Sequence, residues 1–184
     1  MTTHMLFELF AAYYAEARRL QTVYAGAISI LVGFETEWIR PSSKEDIEHH
    51  LTRYPVDTMV GSVHHIHEVP IDFDRVMYER AREISGGSDE ALFADYFDAQ
   101  FAMLEAMRPP IVGHFDLIRR ESDNRNGNWK GYDSVWPKIQ RNLHFISSYG
   151  GMLEINTAAL RLGMSEPYPR AEICQVCCLS FRRW

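Results

Sequence analysis

Acidic and histidine side chains recur at the ends of short apolar runs along this chain of 184 residues. They are Glu35, Glu37, His64, His114, Asp116 and Glu154. Carboxylate oxygens and imidazole nitrogens, with no cysteine among them, suit a divalent ion such as Zn, Mn or Fe. A bound metal lowers the pKa of a coordinated water and neutralises a phosphoryl group during in-line attack. The residue types therefore predict metal-assisted hydrolysis, with a phosphate ester as the first candidate substrate.

Four apolar runs predict the short buried strands of a parallel sheet. The predicted strands are Ala27–Gly33, Asp57–Val63, Ile111–Gly113 and Met152–Leu153. Helical periodicity and capping residues predict helices before and between these strands. The predicted helices are Leu6–Leu20, Ser42 or Ser43 to Arg53, Asp74–Ile84, Asp89–Met107 and Ser134–Tyr149. Loops that follow parallel strands share one face of an α/β fold, so we expect the six side chains to converge there.

Each of these side chains also has a purely structural alternative. A single glutamate after a strand is more often a helix cap or a solvated loop residue, and His114 could be a buried histidine with satisfied hydrogen bonds. Alternate residues of a strand share a face, so we expect His65 and His67 to point together and away from His64. The polar segment Glu121–Asp133 is typical of a surface loop. Repetition across four strand ends is what favours a shared site.

Composition excludes several other classes of protein. The formal net charge of −6 and the pI near 5.7 argue against a general nucleic-acid binder, which would carry a basic face. No uninterrupted apolar stretch reaches the roughly 18 residues of a membrane-spanning helix, so no membrane partner is expected. The three cysteines, Cys174, Cys177 and Cys178, lie together near the end of the chain. They form neither a disulfide framework nor a four-ligand zinc site, which favours a reducing cytoplasm.

Several motifs in the chain resemble a known family when they are taken together. They are GFETE (Gly33–Glu37), VGSVHHI (Val60–Ile66), PIDFD (Pro70–Asp74), GHFDLIR (Gly113–Arg119) and LEIN (Leu153–Asn156) followed by Arg161. This set resembles the histidinol-phosphatases of the polymerase and histidinol phosphatase (PHP) superfamily. The resemblance runs from about Leu6 to Cys174. It implies a distorted (β/α)7 barrel that binds about three divalent ions, Zn, Mn or Fe. It also implies hydrolysis of L-histidinol phosphate to L-histidinol and phosphate, a late step of L-histidine biosynthesis.

The resemblance also assigns expected roles to the residues of the motifs. Glu35 corresponds to a metal-bridging carboxylate, and His64 and His114 correspond to metal ligands; these three are the expected catalytic residues. Glu37 and Asp116 are expected to bind metal as well, or to orient the groups that do.

Four further residues are expected to meet the substrate. Arg119 and Arg161 are candidates for holding its phosphate, because a guanidinium donates two parallel hydrogen bonds to phosphate oxygens. Glu154 and Asn156 are candidates for shaping the pocket or contacting the substrate amine.

The sequence departs from the family at both ends. The family opens with a His-x-His motif, of which Thr3-His4-Met5 is only a superficial echo, and it closes with an Asp-x-His motif that is absent here. A complete barrel of this kind needs roughly 250 residues. We therefore expect residues 1–175 to form an incomplete barrel with fewer ions, and residues 176–184 to be a tail unlike the family. Two alternatives stay open: a phosphatase for another small phosphate monoester, and a catalytically inactive chain that acts as a binding module.

Overall fold

The computed structural model describes residues 3–180, with side chains for residues 8–176. The helices are α1 (Thr3–Val23), α2 (Ser43–Arg53), α3 (Arg75–Ile84), α4 (Asp89–Met107), α5 (Trp136–Ser148), α6 (Ala158–Arg161) and α7 (Ala171–Ser180). The strands are β1 (Gly33–Glu37), β2 (Thr58–Ser62), β3 (His65–Ile66), β4 (Val69–Pro70), β5 (Ile111–Val112) and β6 (Met152–Leu153). Residues 181–184 and the side chains of His4, Cys177 and Cys178 lie outside this description. None of the described helices is long and apolar enough to cross a membrane.

Four strands form one parallel sheet in the order β1-β2-β5-β6. Helix α2 connects β1 to β2, helices α3 and α4 connect β2 to β5, and α5 connects β5 to β6. This alternation confirms the predicted α/β class. Within residues 3–180 the sheet is open, and β1 and β6 are its outermost strands. The carboxyl ends of the first three strands in this order are therefore neighbours along one edge.

Helices α4 and α5 cover the sheet and supply most of the core. The fully buried hydrophobic side chains of α4 are Leu92, Phe93, Tyr96, Phe97, Met103 and Leu104, and those of α5 are Ile139, Leu143 and Ile146. Burial of one such aliphatic or aromatic side chain stabilises the fold by about 1.5–3 kcal/mol. Because this core fixes β5 against β2, it also fixes the strand ends that carry the candidate site.

The prediction that the first strand spans Ala27–Gly33 is wrong, because the strand lies further along the chain, at Gly33–Glu37. Strand β1 begins at Gly33, where the first residue of its partner β2 lies opposite it, so the preceding segment has no neighbouring strand to pair with. Ile28 and Leu31 in that segment are 59% and 67% exposed. The consequence for the site is direct: Glu35 and Glu37 lie inside the strand and on the same face of it.

Two other predictions need correction. Helix α1 extends beyond the predicted bounds and packs Phe10 against the ring of Phe34, but none of its described side chains is fully buried. The predicted surface loop Glu121–Asp133 contains a buried residue, Trp129, in a 3-10 turn (Trp129–Gly131). Its indole packs on Phe93 of α4, with ring centroids 5.0 Å apart.

Candidate metal centre

Three side chains from three adjacent strands meet at the carboxyl edge of the sheet. Glu35 lies in β1, and His64 and His114 each follow two residues after the last residue of β2 and β5. The Nε2 atom of His114 is 2.9 Å from Oε1 of Glu35, and the Nε2 atom of His64 is 3.7 Å from the same oxygen. One ligand atom from each residue lies within 4.8 Å of those from the other two. We call these three residues the triad.

The donor set and spacing of the triad fit a divalent ion. Ligand atoms at about 2.0–2.2 Å from one metal lie roughly 3–3.6 Å apart, which is close to the two distances measured to the Glu35 oxygen. Two imidazoles and a carboxylate are the ligands that Zn, Mn or Fe accept. His114 is buried, whereas the Glu35 side chain is 47% exposed. One side of the triad therefore stays open to water or substrate, as in catalytic metal sites.

The backbone around His114 is shaped to bring this histidine to the sheet edge. A Cβ atom on Gly113 would lie 2.6 Å from Oγ of Ser62, so only glycine allows β5 to approach β2 this closely. His114 has a φ of 21°, which is uncommon for a residue other than glycine. Its backbone N–H donates to Oε2 of Glu154 over 2.8 Å, and this bond stabilises the unusual conformation.

Electrostatics keep the site anionic. The hydrogen bond from His114 outweighs burial and lowers the pKa of Glu35 to about 2, so this carboxylate is ionised throughout the physiological range. Burial lowers the pKa of His64, but the hydrogen bond with Glu37 and the charges of Glu37, Asp72 and Glu35 raise it by more. The pKa of His64 therefore lies above its usual value. A field that stabilises an imidazolium also attracts a metal cation.

Glu37 contacts His64 rather than the centre of the triad. Its Oε2 is 2.5 Å from Nδ1 of His64, and its Oε1 accepts the backbone N–H of His64 over 3.1 Å. Oε1 is also 3.2 Å from Nδ1 of His65. The expected alternation of the three histidines is therefore wrong, because β2 ends before His64 and the chain turns there into the β3–β4 hairpin. His67, at the hairpin tip, pairs with Asp95 instead.

Asp116 and Arg119 lie together in the interior, and their described hydrogen bonds go to residues outside the triad. Oδ2 of Asp116 accepts from Nε of Arg119 over 3.0 Å, from Nε1 of Trp129 over 3.1 Å and from the backbone N–H of Arg170 over 3.3 Å. Burial raises the pKa of Asp116 against these contacts. The guanidinium of Arg119 also donates to the carbonyl oxygens of residues 125, 166 and 167. Arg161, at the end of α6, is exposed.

Glu154 and Asn156 follow β6 and support His114 from the other side. Besides accepting the N–H of His114, Glu154 accepts from Nδ2 of Asn156 over 3.2 Å at its second oxygen. Asn156 is in turn held by two backbone hydrogen bonds with Tyr168. Glu154 therefore lies at the same site as the triad, as predicted. It contacts the backbone N–H of His114 and not the ligand atom of a triad side chain.

Two charged residues near the site were missed from the sequence. Asp72, in the loop after β4, is one of the carboxylates that raise the pKa of His64. Nη1 of Arg120 lies 3.7 Å from Oδ2 of Asp72, and the Arg120 side chain is 31% exposed. The PIDFD motif contains Asp72, but nothing in that motif distinguishes Asp72 from Asp74, whose carboxylate caps α3.

Two curated proteins are similar to this chain in sequence. A protein of Schizosaccharomyces pombe named "Probable histidinol-phosphatase" is 42% identical over 172 residues, covering 93% of this chain and 56% of that protein. The "Histidinol-phosphatase" of Saccharomyces cerevisiae is 37% identical over 137 residues, covering 64% of this chain and 41% of that protein. The chain thus spans about half the length of the curated relatives it matches.

A solved structure shares the fold. A crystal structure from Listeria monocytogenes, named as a candidate histidinol phosphatase, superposes with a TM-score of 0.77 at 20% sequence identity, covering 93% of this chain and 67% of that one. The sequence profile of the PHP domain matches residues 1–158. This match spans most of the chain, including all three triad residues, and the chain therefore belongs to the PHP domain family.

Proposed function

We propose that the triad binds a divalent metal ion, Zn, Mn or Fe, and that it serves the hydrolysis of L-histidinol phosphate to L-histidinol and phosphate. The observation that carries the proposal is the meeting of one ionised carboxylate and two imidazoles at the carboxyl edge of the parallel sheet. The names of the relatives support the substrate. The proposed substrate implies a place in L-histidine biosynthesis, and the cysteine usage favours a cytoplasmic location.

The residues of the site would have distinct roles in such a reaction. A bound metal supplies a water of lowered pKa and neutralises charge on the phosphoryl group. Glu35 stays ionised and offers its exposed side to the solvent, while His64 and His114 complete the ligand set from the adjacent strand ends. Glu154 positions His114 through its backbone. Glu37, Asp116 and Asn156 then act through neighbouring residues rather than on substrate.

We assign the contact with the substrate phosphate to Arg120 rather than to Arg119. The donors of Arg119 are engaged with Asp116 and with backbone carbonyls, and its side chain is 2% exposed. The guanidinium of Arg120 is partly exposed: its Nε donates to Oε1 of Glu121 over 3.2 Å, and its Nη1 lies 3.7 Å from Oδ2 of Asp72. Since Asp72 acts electrostatically on His64, this pair lies near the triad. Arg161 remains an exposed second candidate.

The proposal is tested by phosphate release from L-histidinol phosphate with Mn²⁺ or Zn²⁺ supplied. Other small phosphate monoesters, such as glycerol phosphate and phosphoserine, are tried in parallel. We expect release from L-histidinol phosphate that disappears in Glu35→Ala and persists in Glu105→Ala. Glu105 is an exposed residue near the end of α4, at the opposite edge of the sheet.

Two outcomes would contradict the proposal. Preferred release from another monoester would leave the metal centre in place and change the substrate. A folded, metal-loaded chain that releases phosphate from none of the compounds would support the binding-module alternative.

A further inference from the structure

Among the described residues, the side-chain hydrogen bonds of Glu37 go to one short turn, His64–His65. Its two carboxylate oxygens meet three nitrogens, which are the backbone N–H of His64, Nδ1 of His64 and Nδ1 of His65. An ionised carboxylate only accepts hydrogen bonds. Each of these nitrogens must therefore carry its hydrogen towards Glu37.

This contact decides the chemical form of His64. A neutral imidazole carries one hydrogen, and a hydrogen on Nδ1 leaves Nε2 with a free lone pair. Nε2 is the atom of His64 that lies 3.7 Å from Oε1 of Glu35, on the side of the triad. The bond to Glu37 thus selects the tautomer that a metal ion at the triad requires.

His114 provides a comparison within the same site. Its Nδ1 is buried and has no hydrogen-bond partner among the described residues, whereas its Nε2 is 2.9 Å from Oε1 of Glu35. Without metal, that contact favours the hydrogen on Nε2, which is the form that cannot bind a metal through this atom. Only one of the two imidazoles therefore has its tautomer fixed in advance by an outer carboxylate.

We propose that Glu37 is a positioning residue that holds His64 as the Nδ1–H tautomer and presents its Nε2 atom to the metal, and that Glu37 is not itself a metal ligand. This inference rests on the metal centre proposed above. It deepens that proposal by separating the two glutamates of β1, which share one strand face, into a ligand and an orienting group. The contact to His65 holds the same turn against β1.

The substitution Glu37→Gln tests this role because it changes the hydrogen-bond chemistry while keeping the shape. Glutamine has one accepting oxygen, and its NH₂ group can donate to Nδ1 of His64, which favours the Nε2–H tautomer. At a pH above the raised pKa of His64, we expect ¹⁵N imidazole spectra of the metal-free chain to show the Nδ1–H tautomer for His64 in the wild type and a shift towards Nε2–H in Glu37→Gln. Affinity for Zn²⁺, measured by chelator competition, should fall by about 10- to 100-fold.

Two matched substitutions separate orientation from ligation. Glu35→Gln should abolish Zn²⁺ binding while His64 keeps its Nδ1–H tautomer, because the bond to Glu37 is intact. Glu105→Gln should change neither quantity. Amide spectra of each variant check that the fold is unchanged.

The proposal is overturned if Glu37→Gln keeps both the tautomer of His64 and the Zn²⁺ affinity of the wild type. It is also overturned if Glu37→Gln loses Zn²⁺ as completely as Glu35→Gln with the tautomer unchanged, since Glu37 would then be a ligand. If the wild-type chain binds no metal, the metal centre itself fails. The spectra of the metal-free chain still decide whether Glu37 sets the tautomer of His64.

Discussion

Arg119 and Arg120 are adjacent in the sequence, yet their guanidinium groups lie in different environments. Arg119 is buried beside Asp116, and Arg120 is partly exposed beside Asp72. A buried cation whose carboxylate partner also depends on it stabilises the fold, whereas a partly exposed guanidinium, even one that contacts Glu121 and Asp72, can also donate to a phosphate. The two residues should therefore respond oppositely to substitution.

We predict that Arg120→Ala weakens the binding of inorganic phosphate to the site and leaves thermal stability unchanged. The affinity is measured from the competition between inorganic phosphate and the substrate. Loss of a charge-assisted hydrogen bond corresponds to about 1.5–3 kcal/mol, or roughly 10- to 100-fold in affinity. Arg119→Ala should instead destabilise the fold by about 3–5 kcal/mol, because Asp116 would be buried without its cation. A stable Arg119→Ala variant with weakened phosphate binding would instead support Arg119 as a residue that binds the substrate phosphate.

The pKa of His64 predicts how metal binding depends on pH. A protonated imidazole cannot ligate, so affinity is retained above the pKa of His64 and is lost as the pH falls through it. Burial lowers this pKa, but Glu37 and the neighbouring carboxylates raise it by more, so the loss should be centred above the ordinary histidine value of 6.5. Glu35, with a pKa of about 2, does not titrate in this range.

Titration of Zn²⁺ or Mn²⁺ at a series of pH values between about 5 and 9 measures this dependence. The same series on Glu37→Gln should show a midpoint at lower pH, since the main group that raises the pKa is then neutral. A wild-type midpoint below 6.5 would contradict the electrostatic description of the site.

Single residues were predictable only where the strand pattern carried the signal. The repeated change from apolar to ionisable residues at strand ends placed Glu35, His64 and His114 among six candidates, and the family resemblance distinguished these three from the others. The burial of Arg119 depends on carbonyl oxygens 47 and 48 positions further along the chain, and no local pattern contains that information. For the same reason, the interior position of Asp116 could not be inferred from its motif.

At the scale of elements, close approach between strands and helices determines where the site forms. Gly61 of β2 lies under Pro109, which follows α4, and a Cβ atom at this position would lie 2.5 Å from Cγ of the proline ring. Gly26, before β1, has nothing within 4 Å of such an atom. The two glycines thus form a matched pair for testing the packing.

We predict that Gly61→Ala lowers the free energy of unfolding by about 1–3 kcal/mol, because the rigid proline ring cannot move aside without shifting the end of α4. Gly26→Ala should be close to neutral. Urea denaturation of both variants measures the difference. Equal stability of the two variants would show that β2 does not pack against Pro109 as described.

Element types were predictable further than element positions. Helices α2 to α5 and strands β2, β5 and β6 agree with the periodicity and with the capping and turn residues. The first strand was displaced because Ala27–Val32 is as rich in β-branched and aliphatic residues as a strand, while pairing with Thr58 places the real strand at Gly33. Pairing partners, rather than local composition, decide which part of an apolar segment becomes a strand.

At the scale of the whole molecule, one buried carboxylate connects parts of the chain that are distant in sequence. Asp116 joins the 3-10 turn Leu117–Glu121, the buried indole of Trp129 and the backbone of Arg170 at the start of α7. These contacts attach the last described helix to the sheet. Alternation of strands and helices predicted the α/β class, but no periodic pattern indicates such a junction.

We predict that Asp116→Ala destabilises the protein by about 3–5 kcal/mol, because it leaves the guanidinium of Arg119 buried and unpaired. Glu35→Ala removes a half-exposed carboxylate and its contact with His114, so it should lower the unfolding temperature much less than Asp116→Ala does. Thermal unfolding of both variants without metal makes the comparison. If Asp116→Ala were as stable as the wild type and had lost metal binding, Asp116 would be a ligand after all.

The central claim, that Glu35, His64 and His114 form a metal centre, is tested most directly by counting bound ions. Equilibrium dialysis against Zn²⁺ or Mn²⁺ followed by elemental analysis gives the number of ions per folded chain. We expect the wild type and Glu105→Ala to bind equally. Glu35→Ala, His64→Ala and His114→Ala should each bind less while keeping the wild-type circular dichroism spectrum. Wild-type stoichiometry in all three triad variants would contradict the claim.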